Sequence, residues 1–199
     1  MNVRNLSGQS TEYTSNVYHA TGEYLQFRDL STLIDVGRDE SVLGALRTIR
    51  TGLGKKPVDQ IFLTHSHFDH AGLLREILSR YAVPVYGHPQ TRIEGVIPLS
   101  DGEQVRIADR ECEVIWADAH SEDSVCYYSP DDGILISGDI PVRIYTRDGV
   151  YNPGFLPIFE RFCSFELKVI YPGHGDPITD NLPHMLDESY ANLKRSTFV

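Results

Sequence analysis

The segment Thr64-His65-Ser66-His67-Phe68-Asp69-His70 holds three histidines and one aspartate within seven residues. Imidazole nitrogens and carboxylate oxygens are the ligands that zinc and similar divalent cations accept in proteins. The apolar run at residues 58–63 directly before the segment predicts a β-strand, and a helical spacing of apolar residues begins near Ala71. The sequence therefore predicts a metal-binding loop between a strand and a helix.

The spacing within this loop predicts two adjacent metal positions. His65 and His67 lie two residues apart, so their side chains point the same way if the strand continues through them. Asp69 and His70 follow at the turn into the helix and can face a second position. A loop that merely caps the helix would account for one acidic residue but not for three histidines.

Three more ligand-type residues each follow a later predicted strand. These are His120, Asp139 and His174, which come after residues 113–116, 134–136 and 169–171. Glycines beside the last two residues allow the close backbone approach that a compact site needs. Together with the first loop they supply seven potential ligands, more than one ion uses.

In combination, these motifs resemble the metallo-β-lactamase superfamily. The resemblance rests, in the order of the family, on Asp35 after an early predicted strand, residues 64–70, His120, Ser137-Gly138-Asp139 and Tyr171-Pro172-Gly173-His174-Gly175. It implies an α/β fold, a four-layer αββα sandwich with the metals at one edge of its two sheets. The core is similar to that of glyoxalase II. Because the chain ends soon after His174, we expect this core without the helical C-terminal region of those enzymes.

The resemblance also implies a role for each ligand-type residue. One metal would be held by three histidines, a second by an aspartate and two histidines, and a further aspartate would bridge them. In that order, these residues are His65, His67 and His120; Asp69, His70 and His174; and Asp139. Asp69 and Asp139 are also the predicted catalytic residues, and Asp35 would orient the ligand loops without binding metal. The implied cofactors are two divalent metal ions, for which we expect zinc and leave iron and manganese open.

Two adjacent cations lower the pKa of a shared water towards neutrality, and the resulting hydroxide can attack an acyl or phosphoryl centre. We therefore predict a metal-dependent hydrolase that acts through a metal-bridging hydroxide on a small ester, thioester or lactone. Two alternatives stay open. One is a phosphodiesterase or nuclease of the same fold, and the other is a non-catalytic metal-bound sensor or binding module.

Residues 140–159 follow the proposed bridging residue directly, and we predict that they form a loop facing the substrate. Within it, Arg143 could hold a carboxylate, and Tyr145 or Tyr151 could donate a hydrogen bond to a carbonyl oxygen. An ordinary surface position is an equal alternative for all three side chains.

The overall composition limits the partners. The 199 residues predict a single domain spanning 1–199, with a formal net charge of −10 and no basic cluster longer than a pair. Such a charge disfavours nucleic acids and anionic membrane surfaces, which leaves a small-molecule substrate. No stretch is apolar enough to span a membrane, and the N-terminus opens no apolar run. Three sparse cysteines fit reduced thiols. We therefore expect a cytoplasmic protein, and a homo-oligomer stays open.

Overall fold

The structure, a computed structural model, describes residues 1–23, 29–51, 54–146 and 149–199. Within these residues the helices are α1 (Ser41–Thr48), α2 (Phe68–Ala71), α3 (Leu74–Tyr81), α4 (Phe155–Cys163) and α5 (Leu182–Leu193). No helix in the described part of the chain has the length and apolarity needed to cross a membrane.

The first sheet is built from the N-terminal half of the chain. Its strands, in spatial order, are β1 (Asn2–Asn5), β2 (Tyr18–Thr21), β3 (Thr32–Ile34), β4 (Gln60–Phe62), β5 (Val85–Gly87) and β6 (Ile97–Pro98). Strand β2 runs antiparallel to both of its neighbours, β1 and β3, and β3 to β6 run parallel. The parallel part therefore places the carboxyl ends of β3 and β4 at the same edge.

The second sheet is built from the C-terminal half. Its spatial order is β12 (Val169–Pro172), β10 (Ile134–Gly138), β9 (Val125–Ser129), β8 (Arg110–Trp116) and β7 (Gln104–Ile107). Strands β7 to β10 are antiparallel in turn, and β10 pairs with β12 in parallel. Strands β8, β10 and β12 therefore end at the same edge. A short parallel pair, β11 (Val150–Tyr151) with β13 (Thr197–Phe198), lies apart from both sheets.

Alternating burial along the strands separates the layers. Ile34 and Phe62 from the first sheet and Val114 and Tyr127 from the second share one buried cluster, which fills the space between the sheets. Side chains one position along each strand point the opposite way, because the strand period is two residues. Accordingly, Leu33 packs in a different cluster, with α1 and α3.

The outer face of the second sheet packs against α4 and α5. Leu135, next to inward-facing strand residues, joins Phe155, Phe159 and Leu186 in this cluster. Helix, sheet, sheet and helix therefore follow one another, and the predicted four-layer αββα sandwich is confirmed.

The predicted loop over residues 140–159 is wrong in its last part. Phe155 begins α4, and both Phe155 and Phe159 are fully buried. Pro157, a residue type that usually marks a loop, lies in the first turn of this helix. A proline is tolerated there because its missing N–H would have no partner. Residues 147 and 148 of the predicted loop lie outside the described residues.

Candidate metal centre

The structure brings all seven predicted ligand residues together at the edge where the strands end. Their ligand atoms form three groups, each within 4.8 Å: His65, His67 and His120; His65, His70 and Asp139; and Asp69, His70 and His174. Each side chain is delivered by the turn that follows β4, β8, β10 or β12 or by the short helix α2. Residues far apart in sequence therefore converge because their strands share one edge.

The first group consists of three imidazoles whose nitrogens face one another. His67 Nδ1 lies 3.0 Å from His65 Nε2 and 3.0 Å from His120 Nε2. Zinc binds imidazole at about 2.0–2.1 Å in a tetrahedral arrangement, which separates neighbouring ligand nitrogens by roughly 3.3 Å. Both separations from His67 Nδ1 are close to that requirement.

The second group surrounds the carboxylate of Asp69. Its Oδ2 atom lies 3.2 Å from His174 Nε2 and 3.9 Å from His70 Nε2. This set mixes oxygen and nitrogen, which suits zinc, iron or manganese alike. The two predicted halves of the centre are therefore both assembled.

Asp139 lies between the two groups. Its Oδ1 is 3.2 Å from His70 Nε2, and its Oδ2 is 3.6 Å from His120 Nε2 and 3.5 Å from His174 Nε2. One carboxylate thus reaches ligand atoms assigned to both positions. The geometry fits the bridging role that the sequence resemblance implies.

Two buried polar atoms indicate whether the centre fits a bound cation. His70 Nε2 and Asp139 Oδ1 are both buried and lie 3.2 Å apart, and without a proton between them neither has a hydrogen-bond partner among the described residues. A buried polar atom left unpaired costs about 1–3 kcal/mol, and more if charged. A cation between these atoms would satisfy both, so the residues present fit a metal.

A hydrogen-bond chain behind the cluster orients two of the rings. Asp35, which is buried, accepts from the Thr64 backbone N–H and hydroxyl and from His70 Nδ1, each at 2.8 Å. The Thr64 hydroxyl donates its hydrogen to Asp35. The Thr64 hydroxyl oxygen therefore accepts a hydrogen bond from His65 Nδ1 at 3.1 Å. Both histidines therefore direct an Nδ1 hydrogen to this hydrogen-bond chain and turn Nε2 towards the centre.

Asp35 reaches this position through an unusual backbone conformation. Its φ is +57°, in the left-handed region that aspartate tolerates better than most residues. The turn directs the carboxylate under the metal loop, where it contacts Thr64 and His70, and its predicted role in orienting ligands without binding metal stays a prediction.

The protein groups shift the pKa values of the centre in opposite directions. Burial lowers the pKa of His65 to about 4, with a further contribution from the charge on His70. Burial also opposes protonation of His70, but Asp35 and Asp139 outweigh it and raise the His70 pKa to about 10. For Asp139, burial is outweighed by its contact with His70, so the pKa of Asp139 falls to about 2. His65 is thus neutral and Asp139 ionised at neutral pH, as metal ligands require, whereas His70 is protonated without a cation and would lose its Nε2 proton on binding one.

Glycine at two positions allows this crowding. Gly138 has a φ of +52°, and a Cβ there would lie 2.7 Å from the Thr64 Cβ. A Cβ at Gly173 would collide with the Asp139 carboxylate and with the His70 ring. The predicted need for glycines beside the ligands is confirmed by these contacts.

A comparison with known families agrees with this fold and site. The sequence model of the metallo-beta-lactamase superfamily matches residues 24–174, more than half of the chain. This chain belongs to the metallo-β-lactamase superfamily. A metallo-beta-lactamase family protein from Thermus thermophilus superposes with a TM-score of 0.66 at 24% identity, covering 90% of this chain and 74% of that one. That likeness shows the shared fold.

Two curated proteins are similar to this chain in sequence. The hydroxyacylglutathione hydrolase of Hahella chejuensis is 32% identical over 138 residues, which cover 68% of this chain and 42% of that protein. The atrochrysone carboxyl ACP thioesterase of Aspergillus fumigatus is 26% identical over 158 residues, covering 78% of this chain and 37% of that protein. The chain thus spans less than half the length of these two relatives.

Two residues of this metallo-β-lactamase-superfamily chain contribute to the site without a prior signal in the sequence. Asp123 is buried and accepts from the Ser66 backbone N–H at 2.9 Å and from the Ser121 hydroxyl at 2.8 Å. It therefore ties the first histidine loop to the loop of His120. Tyr13 stacks on the His174 ring from an N-terminal loop. The contact of Asp123 with Ser66 and that of Tyr13 with His174 have no local sequence pattern, because each joins distant parts of the chain.

The three substrate contacts predicted beyond the metal centre do not lie in the cleft above it. Among the described residues, the cleft is lined by His120, Gly138, Asp139, Ile140, Pro172 and His174. Arg143 and Tyr145 instead line a separate cavity beside α5, and Tyr151 packs against the core cluster of α4.

The segment is drawn away from the cleft by its contacts with α5. The Ile144 N–H donates to the Ser189 hydroxyl at 3.0 Å, and Asn192 Nδ2 donates to the Ile144 carbonyl at 2.7 Å. Arg143 Nε also points to Met185 Sδ at 3.0 Å. Long-range pairing with α5 therefore fixes this backbone outside the cleft lining, and a substrate contact by Arg143, Tyr145 or Tyr151 stays a prediction.

Proposed function

We propose that this protein is a metal-dependent hydrolase that cleaves a small ester, thioester or lactone, with a thioester as the favoured substrate. The observation that carries the proposal is the position of Asp139, within 3.6 Å of histidine nitrogens from both groups. Two divalent ions, zinc in this proposal, would supply an acidified water and polarise the acyl oxygen.

The chain's own residues would prepare this chemistry. His65, His67 and His120 would hold one ion, and Asp69, His70 and His174 the other. Asp35 and Thr64 hold two of the rings with Nε2 facing the centre. Because the ring orientations are fixed before substrate arrives, little reorganisation would be needed during the reaction.

The names of the curated relatives support the thioester class. An acylglutathione and an acyl carrier protein conjugate both join an acyl group to sulfur, and the two relatives hydrolyse such bonds by name. Because this chain covers less than half of either relative, we carry over the acyl–sulfur bond and not the thiol that bears it. The formal charge of −10 supports a small molecule over a nucleic acid. The single domain over residues 1–199 and the cytoplasmic location stay predictions.

The test uses chelator-treated protein that is reloaded with zinc and assayed on four substrates: an S-acyl thiol, an aryl ester, a lactone and an aryl phosphodiester. We expect zinc-dependent turnover that is fastest on the thioester and lost in Asp139→Asn. Preference for the phosphodiester would favour the nuclease alternative. Zinc binding without turnover of any substrate would contradict the proposal and favour a binding module.

A further inference from the structure

Tyr13 presents an aromatic ring at the metal centre although most of its side chain is exposed. Its ring stacks on His174 with centroids 5.0 Å apart and an interplanar angle of 16°. The residue is 70% exposed. A single exposed aromatic residue is common on protein surfaces, so the informative observation is the stacking of Tyr13 on a predicted metal ligand and not its exposure.

The loop that carries Tyr13 is held on both sides by backbone hydrogen bonds. Before it, the Thr11 and Glu12 N–H groups donate to Asp39 Oδ2 at 3.0 and 3.2 Å. After it, the Ser15 N–H donates to the carbonyl of Asp69 at 3.0 Å. The position of Tyr13 is therefore fixed relative to a metal loop, as a substrate-contacting residue requires.

The same loop is also fixed to the strand end that carries His174. The Asn16 N–H donates to the Gly173 carbonyl at 2.6 Å. Asn16 Nδ2 donates to the carbonyls of Pro172 and Gly175 at 2.9 and 2.8 Å. Tyr13 thus belongs to the same rigid edge as its stacking partner.

The hydroxyl of Tyr13 needs a different partner when the centre holds metal. In the structure it lies 3.3 Å from His174 Nε2, the atom that also faces Asp69 Oδ2 at 3.2 Å. A nitrogen that binds a cation has neither a hydrogen to donate nor a lone pair to accept with. The phenol hydroxyl can then donate to the Asp69 carboxylate, which also interacts with it, or to an oxygen that enters the cleft.

We propose that Tyr13 is a substrate-binding residue whose ring flanks the cleft beside His174 and whose hydroxyl donates a hydrogen bond to an oxygen of the acyl group. The inference rests on the proposed hydrolase function. In this proposal Tyr13, on the N-terminal loop, donates the hydrogen bond to the substrate oxygen that the sequence analysis predicted for Tyr145 or Tyr151. Those two residues lie beside a different cavity and in the α4 cluster.

The first test needs no turnover. Acetate, the simplest carboxylate product of acyl hydrolysis, is titrated calorimetrically into zinc-loaded protein in a carboxylate-free buffer. We expect Tyr13→Phe to keep the stacked ring and the zinc content but to bind acetate about 3- to 10-fold more weakly, the range of one net hydrogen bond. Tyr13→Ala should lose more, and Tyr145→Phe should match the parent because Tyr145 is 80% exposed away from the cleft.

The second test separates binding from chemistry. On the thioester, Tyr13→Phe should raise KM by about the same 3- to 10-fold while kcat changes less, because the bond is made to bound substrate. Unchanged acetate affinity in Tyr13→Phe would overturn the inference, as would zinc loss or no acetate binding by the parent. If the parent binds acetate but cleaves no substrate, the proposed function fails, and the acetate comparison still decides the role of Tyr13.

Discussion

His70 Nδ1 donates a hydrogen bond of 2.8 Å to Asp35 Oδ2, and both side chains are buried. The bond fixes the ring so that its other nitrogen, Nε2, lies 3.2 Å from Asp139 Oδ1. One imidazole thus stands between two carboxylates in the interior. Without a cation, the favourable way to hold this arrangement is to protonate the ring, which explains why its pKa is raised to about 10.

The raised pKa of His70 predicts how the stability of chelator-treated protein depends on pH. Its folded pKa lies above the unfolded value of about 6.5, so its stabilising contribution is complete below that pH and is lost as pH rises towards 10. We expect the free energy of unfolding to fall by about 1–3 kcal/mol between pH 7 and pH 9.5. Urea titrations at several pH values measure this change.

Asp35→Asn supplies the control for that measurement. The amide removes the charge that contributes most to raising the His70 pKa, so the slope over the same pH window should flatten. A parent protein with no pH dependence between 7 and 9.5, or a variant with the parent's slope, would show that His70 is not protonated in this way.

Much of the centre could be predicted from the sequence because each ligand belongs to a local pattern. His120, Asp139 and His174 all follow apolar strands whose ends meet at one edge, so local strand signals sufficed. The surroundings of the cleft could not be predicted in this way. Tyr13 reaches His174 through a loop held by Asp39, and that pairing leaves no periodic signal in the sequence.

The predicted substrate loop failed for a related physical reason. Phe155, Phe159 and Phe162 have the spacing of one helical face, but Pro157 between them resembles a loop signal. Tertiary packing against the outer face of the second sheet decides in favour of the helix. The stabilisation of the helix by this packing cannot be predicted from the local sequence.

Asp139→Ala should reduce turnover far more than Tyr145→Phe. The first change removes a carboxylate that lies within 3.6 Å of His70, His120 and His174, and we expect a loss of at least about 100-fold. The second alters an exposed side chain outside the cleft and should change turnover by about twofold at most. Steady-state rates of the two zinc-loaded variants provide the comparison, and similar losses would refute the bridging assignment.

His65→Ala and His174→Ala should fail in different ways. His65 belongs to the three-histidine group, whereas His174 pairs with Asp69 in the other group. We expect His174→Ala to retain one metal and some turnover of substrates with good leaving groups, but almost none of unactivated ones. The measurement is zinc content together with rates across leaving groups of graded pKa. If the rates of His174→Ala depend on the leaving group as those of the parent do, the metal position of His174 has no separate role in the departure of the leaving group.

Gly173→Ala should disturb the centre without removing any ligand. Its new Cβ would collide with the Asp139 carboxylate and the His70 ring, so we expect weaker zinc binding and a loss of about 1–3 kcal/mol in stability. Gly8→Ala is the matched control, because a Cβ there meets no atom within 4 Å. Thermal unfolding with and without zinc should separate the two variants. Equal behaviour would mean that the backbone at Gly173 moves aside freely.

The most direct test of the two-metal hydrolase is a titration of chelator-treated protein with zinc, in which bound zinc and turnover of an unactivated thioester are measured in the same samples. The three ligand groups, joined by His65, His70 and Asp139, predict that turnover rises until two zinc ions are bound per chain and is constant thereafter. Full turnover at one bound zinc, or turnover by protein that binds none, would contradict the account.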